Sequence, residues 1–130
     1  MKATVLLYNF QDKFYKEQVK KILLVQHLSI KEVPKEEYLN PIGFYAGDEE
    51  VKVSEERYEG MELDGEMIVF AGLSGEQIDK VLAGFRKNKV PRVNCKAVLT
   101  PTNRFWNALQ LFEELKREHE AIHKNKISEI

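Results

Sequence analysis

Two histidines near the carboxyl end of the chain have the spacing of a zinc-binding motif. Residues 119–123 have the sequence His-Glu-Ala-Ile-His and match H-E-x-x-H. On a helix this spacing places both imidazoles on one face, where they can hold zinc while the glutamate acts as a general base. A third protein ligand would have to come from elsewhere, such as His27, Glu129 or the acidic segment. A zinc-dependent hydrolase using His119 and His123 is an alternative hypothesis, and adventitious metal binding is favoured over catalysis.

Signals for other kinds of catalysis are missing from the sequence. Cys95 has no neighbouring histidine and lies beside Lys96, which favours a structural thiol over a nucleophile. No G-x-S-x-G, Walker A or G-x-G-x-x-G pattern occurs, and Ser74 is best explained as a helix N-cap. The sequence therefore predicts no catalytic residues and no cofactor, and it favours a non-enzymatic role.

Charge is distributed unevenly although the net charge is only −1. The segment 48–66 contains nine carboxylates against two basic residues. The stretch 80–104 contains no acidic residue but seven basic ones, namely Lys80, Arg86, Lys87, Lys89, Arg92, Lys96 and Arg104. This stretch could bind an anion or a nucleic acid weakly. Because nucleic-acid proteins usually have a net basic balance, a solvated helix face is favoured and nucleic acid is not expected as a partner.

Apolar patterns predict alternating strands and helices. Strands are predicted over Thr4–Asn9, Leu28–Val33, Met67–Ala71 and Lys96–Thr100. The main helices follow Asp12, Ser74 and Pro101, and a short helix broken at Pro41 is expected within Lys35–Tyr45. Met67–Ala71 is an uninterrupted apolar run between turn residues, which is typical of a central strand covered on both faces.

The two halves of the chain show similar patterns. The strand beginning at Val5 aligns with the strand beginning at Ile68 at an offset of 63 residues, and the same offset pairs Val19 with Leu82 and Ile22 with Phe85. Two βαβ-like halves are therefore predicted.

Two architectures are compatible with these halves. The favoured one is an α/β fold with a four-stranded, largely parallel sheet in the order 2-1-3-4 between helices. In its fully parallel form, the first and last helices cover one face, and the Lys35–Tyr45 segment and second main helix cover the other. The alternative is a ferredoxin-like α+β fold, in which the two βαβ halves interleave antiparallel. Continuous apolar strands favour the first architecture.

Polar and small residues follow three of the predicted strands. In an open parallel sheet, ligands bind beyond the carboxyl ends of the strands, where the strand order changes direction. The candidate ligand-binding residues at these ends are Asn9, Gly72, Ser74, Thr100, Thr102 and Asn103. Each of them is also an ordinary cap or turn residue. If the central strands are antiparallel, these residues do not converge.

Length and composition predict a single domain over residues 1–130, with an exposed acidic loop at about 48–64 and a frayed tail at 125–130. One cysteine and the lack of a long apolar run favour a cytoplasmic protein without a membrane partner. We expect a binding or regulatory domain that acts on a small anionic ligand or a protein partner, with a homodimer through the last helix as a further hypothesis. Exposure of Trp106 or Tyr58 would favour a protein partner.

Several segments carry a family resemblance. These are Leu7-Tyr8-Asn9-Phe10, Tyr38-Leu39-Asn40-Pro41, Phe70-Ala71-Gly72-Leu73-Ser74 and the run from Lys96 to Asn103, followed by Trp106 and by Glu113 to His119. With these segments, the chain resembles the small bacterial proteins grouped as domain of unknown function 3783. The resemblance implies a stand-alone bacterial protein, and no catalytic residues follow from it because the family has no assigned activity.

Overall fold

The computed structural model describes the backbone of residues 2–128 and the side chains of residues 2–122. The strands are β1 (Thr4–Tyr8), β2 (Ser29–Val33), β3 (Met67–Ala71) and β4 (Cys95–Val98). The α-helices are α1 (Lys13–Val25), α2 (Ile42–Tyr45), α3 (Gly75–Lys87) and α4 (Ala108–Ser128), with 3₁₀ turns at Lys35–Glu37 and Asn103–Phe105. Among the described residues, no helix is long and apolar enough to cross a membrane.

The four strands form one mixed sheet in the order β2-β1-β3-β4. The pairs β1–β2 and β3–β4 are parallel, whereas β1 and β3 are antiparallel, with Leu6 opposite Val69. The predicted α/β fold, strand order and largely parallel sheet are confirmed, but the fully parallel form is wrong at the central pair. A βαβ unit requires only its own two strands to be parallel. The long connection from β2 to β3 leaves the direction of the second unit to be decided by packing.

The two βαβ halves lie side by side. Each half contributes two neighbouring strands, so the halves do not interleave as the ferredoxin-like alternative required. Helices α1 and α3 pack against the same face of the sheet and contact each other. The expectation that the first and last helices share a face is therefore wrong. Two crossovers of the same hand place their helices on one face when their strand pairs run in opposite directions and step toward opposite edges of the sheet, as β1–β2 and β3–β4 do.

Each face of the sheet has its own apolar core. The face under α1 and α3 buries Val5, Leu7, Val19, Leu23, Ile68, Phe70, Val81 and Phe85. The opposite face is covered by α4 and the 38–42 segment, and it buries Leu6, Tyr8, Tyr38, Ile42, Met67, Val69, Ala108, Leu111 and Phe112. Alternate residues of β1 and β3 point to opposite cores, which explains why every residue of both strands is buried.

The similarity of the halves extends to their backbone conformation. Non-glycine His27 and Lys89 have positive φ angles of 58° and 54°, and each follows the C-cap of its helix. Strands β1 and β3 repeat at an offset of 63, but the buried helix positions repeat at 62, because Val19 and Leu23 correspond to Val81 and Phe85. The predicted helix pairs were therefore one residue out of register. The β1–α1 connection is one residue longer than the β3–α3 connection.

Helix α4 begins later than the sequence pattern predicted. The Asn107 side chain accepts from the Gln110 amide, and the Gln110 side chain accepts from the Asn107 amide, both at 2.9 Å. This reciprocal cap starts the helix at Ala108. The predicted tail at 125–130 lies outside the residues whose side chains are described.

Candidate functional site

The predicted ligand-binding residues at the strand ends do not all come together. Because β1 and β3 are antiparallel, Tyr8 lies opposite Met67 and Thr4 opposite Ala71. Asn9 is therefore at one end of the sheet, and Gly72 is at the other. The Asn9 side-chain amide donates to the carbonyl oxygens of Leu63 at 2.9 Å and Gly65 at 3.0 Å, so it holds the loop that leads into β3.

The remaining strand-end residues make local hydrogen bonds. Ser74 and Gln77 form a reciprocal capping box at the start of α3. The Asn103 side chain accepts from the Thr100 amide at 2.8 Å and donates to the Val98 carbonyl at 3.0 Å, while Thr102 is exposed. These contacts stabilise turns, and ligand binding by these residues stays a prediction.

The histidine pair lies on α4, beyond the part of the helix that packs on the sheet. His119 is exposed, and the side chain of His123 is outside the described residues. Among the described residues, no three His, Cys, Asp or Glu side chains are grouped closely enough to hold a metal ion. Metal binding by His119 and His123 stays a prediction.

Arg104 binds the acidic segment to the turn that follows β4. Its guanidinium Nη1 donates to Asp48 Oδ2 at 2.8 Å, and its Nη2 donates to Glu50 Oε2 at 2.7 Å. The Glu50 backbone amide, with further help from Arg104, lowers the pKa of Asp48. A broad cavity of about 930 Å³ lies beside these groups. The carboxylates of Asp48 and Glu50 occupy the arginine of this cavity, and its other charged residues, Lys2 and Glu49, have opposite signs, so its lining does not favour an anion.

Three other basic residues surround a separate cavity of about 430 Å³ between α3 and the segment that leads into β4. The basic residues are Arg86, Arg92 and Lys96, and the remaining lining is provided by Leu82, Phe85, Val90, Pro91 and Val93. No carboxylate lines this cavity. Among the described residues, none of the three basic side chains forms an ion pair, whereas Lys80 of the same stretch pairs with Glu76 at 3.4 Å.

The end of α3 shapes one wall of this basic cavity. The Lys89 amide donates to the Arg86 carbonyl at 3.2 Å, and the Val90 amide donates to the Phe85 carbonyl at 2.9 Å. With Lys89 at positive φ, these bonds form a Schellman motif, which brings Val90 back onto Phe85. The Tyr15 hydroxyl then donates to the Pro91 carbonyl at 3.0 Å and ties this wall to α1.

Lys96 differs from the other lysines of the basic stretch in its surroundings. Its side chain is half-buried at the wall of the cavity, and its Nζ donates to the Val93 carbonyl. Burial lowers the pKa of Lys96, and the nearby Arg92 guanidinium lowers it further. Cys95, in contrast, is buried against the opposite core, where burial raises the pKa of its thiol. The structural interpretation of Cys95 therefore agrees with its position.

The basic cavity is suited to a small organic anion. Its volume lies within the range of about 300–1,000 Å³ that is typical of small-molecule sites. The cations can bind a carboxylate or phosphate, and the apolar walls can cover the rest of the molecule. The basic stretch is evident in the sequence, but this cavity is not. Between residues 82 and 96, the basic residues Arg86, Arg92 and Lys96 are interspersed with apolar residues. This pattern was the signal in the sequence that could have indicated the cavity.

No curated protein and no solved structure matches the chain. Residues 66–122, which include β3, α3, β4 and the packed part of α4, match the family model described as "Domain of unknown function (DUF3783)", which confirms the resemblance found in the sequence.

Proposed function

We propose that this protein is a non-enzymatic binding domain whose ligand is a small organic anion held in the basic cavity. The observation that carries the proposal is the placement of three cations without a carboxylate partner around apolar walls. Arg86 and Arg92 are exposed and Lys96 is half-buried, so an anion can reach all three cations without breaking an ion pair among the described residues. An anion with an apolar body would satisfy both parts of the site.

The distribution of charge supports a small ligand over a nucleic acid. A nucleic-acid surface requires many cations along an extended track. In this chain, Arg104 is paired with Asp48 and Glu50, and Lys80 is paired with Glu76. Of the five basic residues of the stretch that form no ion pair among the described residues, Arg86, Arg92 and Lys96 line one cavity of small-molecule size, and the net charge of the chain is −1.

The burial of Trp106 and Tyr58 gives little support to a protein partner that binds through these two residues. Trp106 and Tyr58 are both half-buried and pack against the core under α4. Tyr58 also donates its hydroxyl to the Met61 carbonyl at 2.7 Å, so its polar group is used within the chain. Neither residue provides the exposed aromatic surface that would favour a protein partner.

Fluorescence titration with anilinonaphthalene sulfonate, an apolar organic anion, tests the proposal. We expect saturable binding that the double variant Arg86→Gln/Arg92→Gln weakens at least about tenfold, which is about 1.4 kcal/mol. The matched control is Lys87→Gln/Lys89→Gln, which removes two charges from exposed positions that do not line the cavity. A neutral dansyl amide probe should bind both double variants similarly.

The controls also give the result that would overturn the proposal. Equal weakening by the two double variants would show that overall charge, and not the cavity, attracts the probe. Retention of single-stranded RNA at moderate salt, reduced equally by both double variants, would support the nucleic-acid hypothesis instead. Near-ultraviolet circular dichroism of each variant verifies that the core is intact.

A further inference from the structure

We propose that Lys96 captures a carbonyl-bearing organic anion as a reversible imine within the basic cavity. This inference rests on the proposed function, because it requires that the anion bind in the cavity first. It adds a covalent step and restricts the ligand class to aldehydes and 2-oxo acids that carry a carboxylate or phosphate.

Lys96 lies in the wall of the basic cavity. Of the lysines in the basic stretch, it alone lines the cavity, and its side chain is half-buried there. The Val93 carbonyl accepts from its Nζ and holds the nitrogen at the wall. Lys87 and Lys89 are exposed, and Lys80 pairs with Glu76 at 3.4 Å away from the cavity.

The surroundings of the Lys96 amine favour its neutral form. An amine must be neutral to attack a carbonyl carbon, and lysines become suitable nucleophiles when they are desolvated or placed beside another cation. Lys96 meets both conditions, since burial lowers its pKa and Arg92 lowers it further. Arg86 adds a positive charge at the same cavity, and the adjacent Cys95 thiol is kept neutral by its raised pKa.

The proposed reaction is balanced within the site. The neutral Nζ attacks the carbonyl carbon and forms a C–N bond, while the carbonyl oxygen takes up a proton to give a carbinolamine. The nitrogen loses one proton, and a second proton taken up by the hydroxyl lets it leave as water while the C=N bond forms. The resulting protonated imine can release its remaining N–H proton, so the net products are the imine and one water. Hydrolysis reverses the sequence, so the site holds its ligand without consuming a co-reactant.

The two arginines of the cavity indicate which other chemical group the ligand carries. Arg86 and Arg92 line the cavity together with Lys96, so they can bind an acidic group on the same molecule as the carbonyl. Phe85 and Val90 provide apolar contact for a planar or aliphatic body. An anion that lacks a carbonyl could still bind, but it could not be captured.

Reductive trapping with pyridoxal 5′-phosphate tests the inference, because this probe carries a phosphate, an aromatic body and an aldehyde. The protein is treated with limiting probe, reduced with borohydride and mapped by peptide mass spectrometry. We expect labelling of Lys96 at least about tenfold above that of Lys87 or Lys89. Lys96→Arg should abolish this dominant label, and the control Lys89→Arg should leave it unchanged. Even labelling of exposed lysines, or unchanged labelling in Lys96→Arg, would overturn the inference.

A second probe separates failure of the inference from failure of the proposed function. Pyridoxine 5′-phosphate has an alcohol in place of the aldehyde, so its binding tests the anion site without an imine. Binding of this probe without trapping at Lys96 would refute the covalent step alone. If neither probe binds and no residue is preferentially labelled, both proposals are wrong. Protection of Lys96 by pyridoxine 5′-phosphate would support both.

Discussion

Asn9 and Gly72 occupy equivalent positions, each one residue after a central strand, with positive φ angles of 63° and 75°. They lie at opposite ends of the sheet because β1 and β3 are antiparallel. The two halves therefore use the same backbone turn, although one half has asparagine and the other glycine. Asparagine tolerates this left-handed conformation better than most residues with a side chain.

This equivalence predicts how substitutions at Gly72 affect stability. Gly72→Ala should lower the free energy of unfolding by about 1–2 kcal/mol, because alanine is strained at this φ. Gly72→Asn should cost clearly less, since Asn9 adopts the same conformation in the first half. Urea denaturation of the two variants measures the difference. Equal costs would contradict the explanation based on conformation.

Gly84 allows α1 and α3 to approach closely. A Cβ atom at this position would lie 2.8 Å from Cγ2 of Ile22. We expect Gly84→Ala to destabilise the protein by about 1 kcal/mol, because overpacking exceeds the gain in helix propensity. Gly75→Ala is the control, since nothing lies within 4 Å of its added Cβ. Thermal unfolding of both variants and of Gly84→Ala/Ile22→Ala provides the test; the double variant should show favourable coupling. A stabilised Gly84→Ala protein would rule out the contact.

The pairing of Asp48 with Arg104 predicts a dependence of stability on pH. The pKa of Asp48 is lowered in the folded protein by the Glu50 amide and by Arg104. Its contribution to stability is therefore present above the ordinary aspartate pKa of about 4 and is lost as the pH falls through the lowered value.

Asp48→Asn should be less stable than the unmodified protein at pH 7, and the difference should shrink as the pH approaches 2. The matched control is Glu49→Gln, which removes a charge from an exposed neighbour. Urea midpoints at several pH values measure both effects. A difference that does not change with pH would show that Asp48 acts by packing alone.

Two buried tyrosines should respond oppositely to loss of their hydroxyl groups. The Tyr8 hydroxyl is buried and has no hydrogen-bond partner among the described atoms, whereas the Tyr38 hydroxyl donates to Glu62 Oε1 at 2.6 Å. Tyr8→Phe should leave stability unchanged or raise it, because an unsatisfied polar group is removed. Tyr38→Phe should cost about 1–2 kcal/mol. Denaturant unfolding of the pair tests this, and a larger loss for Tyr8→Phe would contradict the assignment.

Local patterns were sufficient to locate the secondary structure. The apolar run at Met67–Ala71 became a central strand with every residue buried, and the Ser74–Gln77 pattern became a capping box. Such features depend on residues close in the chain, so periodicity and capping chemistry can predict them. The start of α4 was missed because the reciprocal cap of Asn107 and Gln110 was not recognised.

The basic cavity could not be predicted from local sequence patterns. Arg86, Arg92 and Lys96 are prominent in the sequence, but so are Lys87 and Lys89, which remain outside the cavity. Which cations face the cavity depends on the Schellman turn at Lys89 and on the Tyr15 contact to Pro91. The second of these contacts joins residues from different halves of the chain.

The sequence by itself determined the strands, the main helices and the apolar character of both sheet faces, and it favoured the observed strand order over the interleaved alternative. Tertiary structure decided that β3 runs against β1, that α1 and α3 share a face, and that Asn9 is separated from Gly72. The physical reason is that local hydrogen bonding and periodicity are satisfied whichever way the second βαβ unit is turned. Its direction is selected only when both faces of the sheet are buried together, under α1 and α3 on one side and α4 on the other.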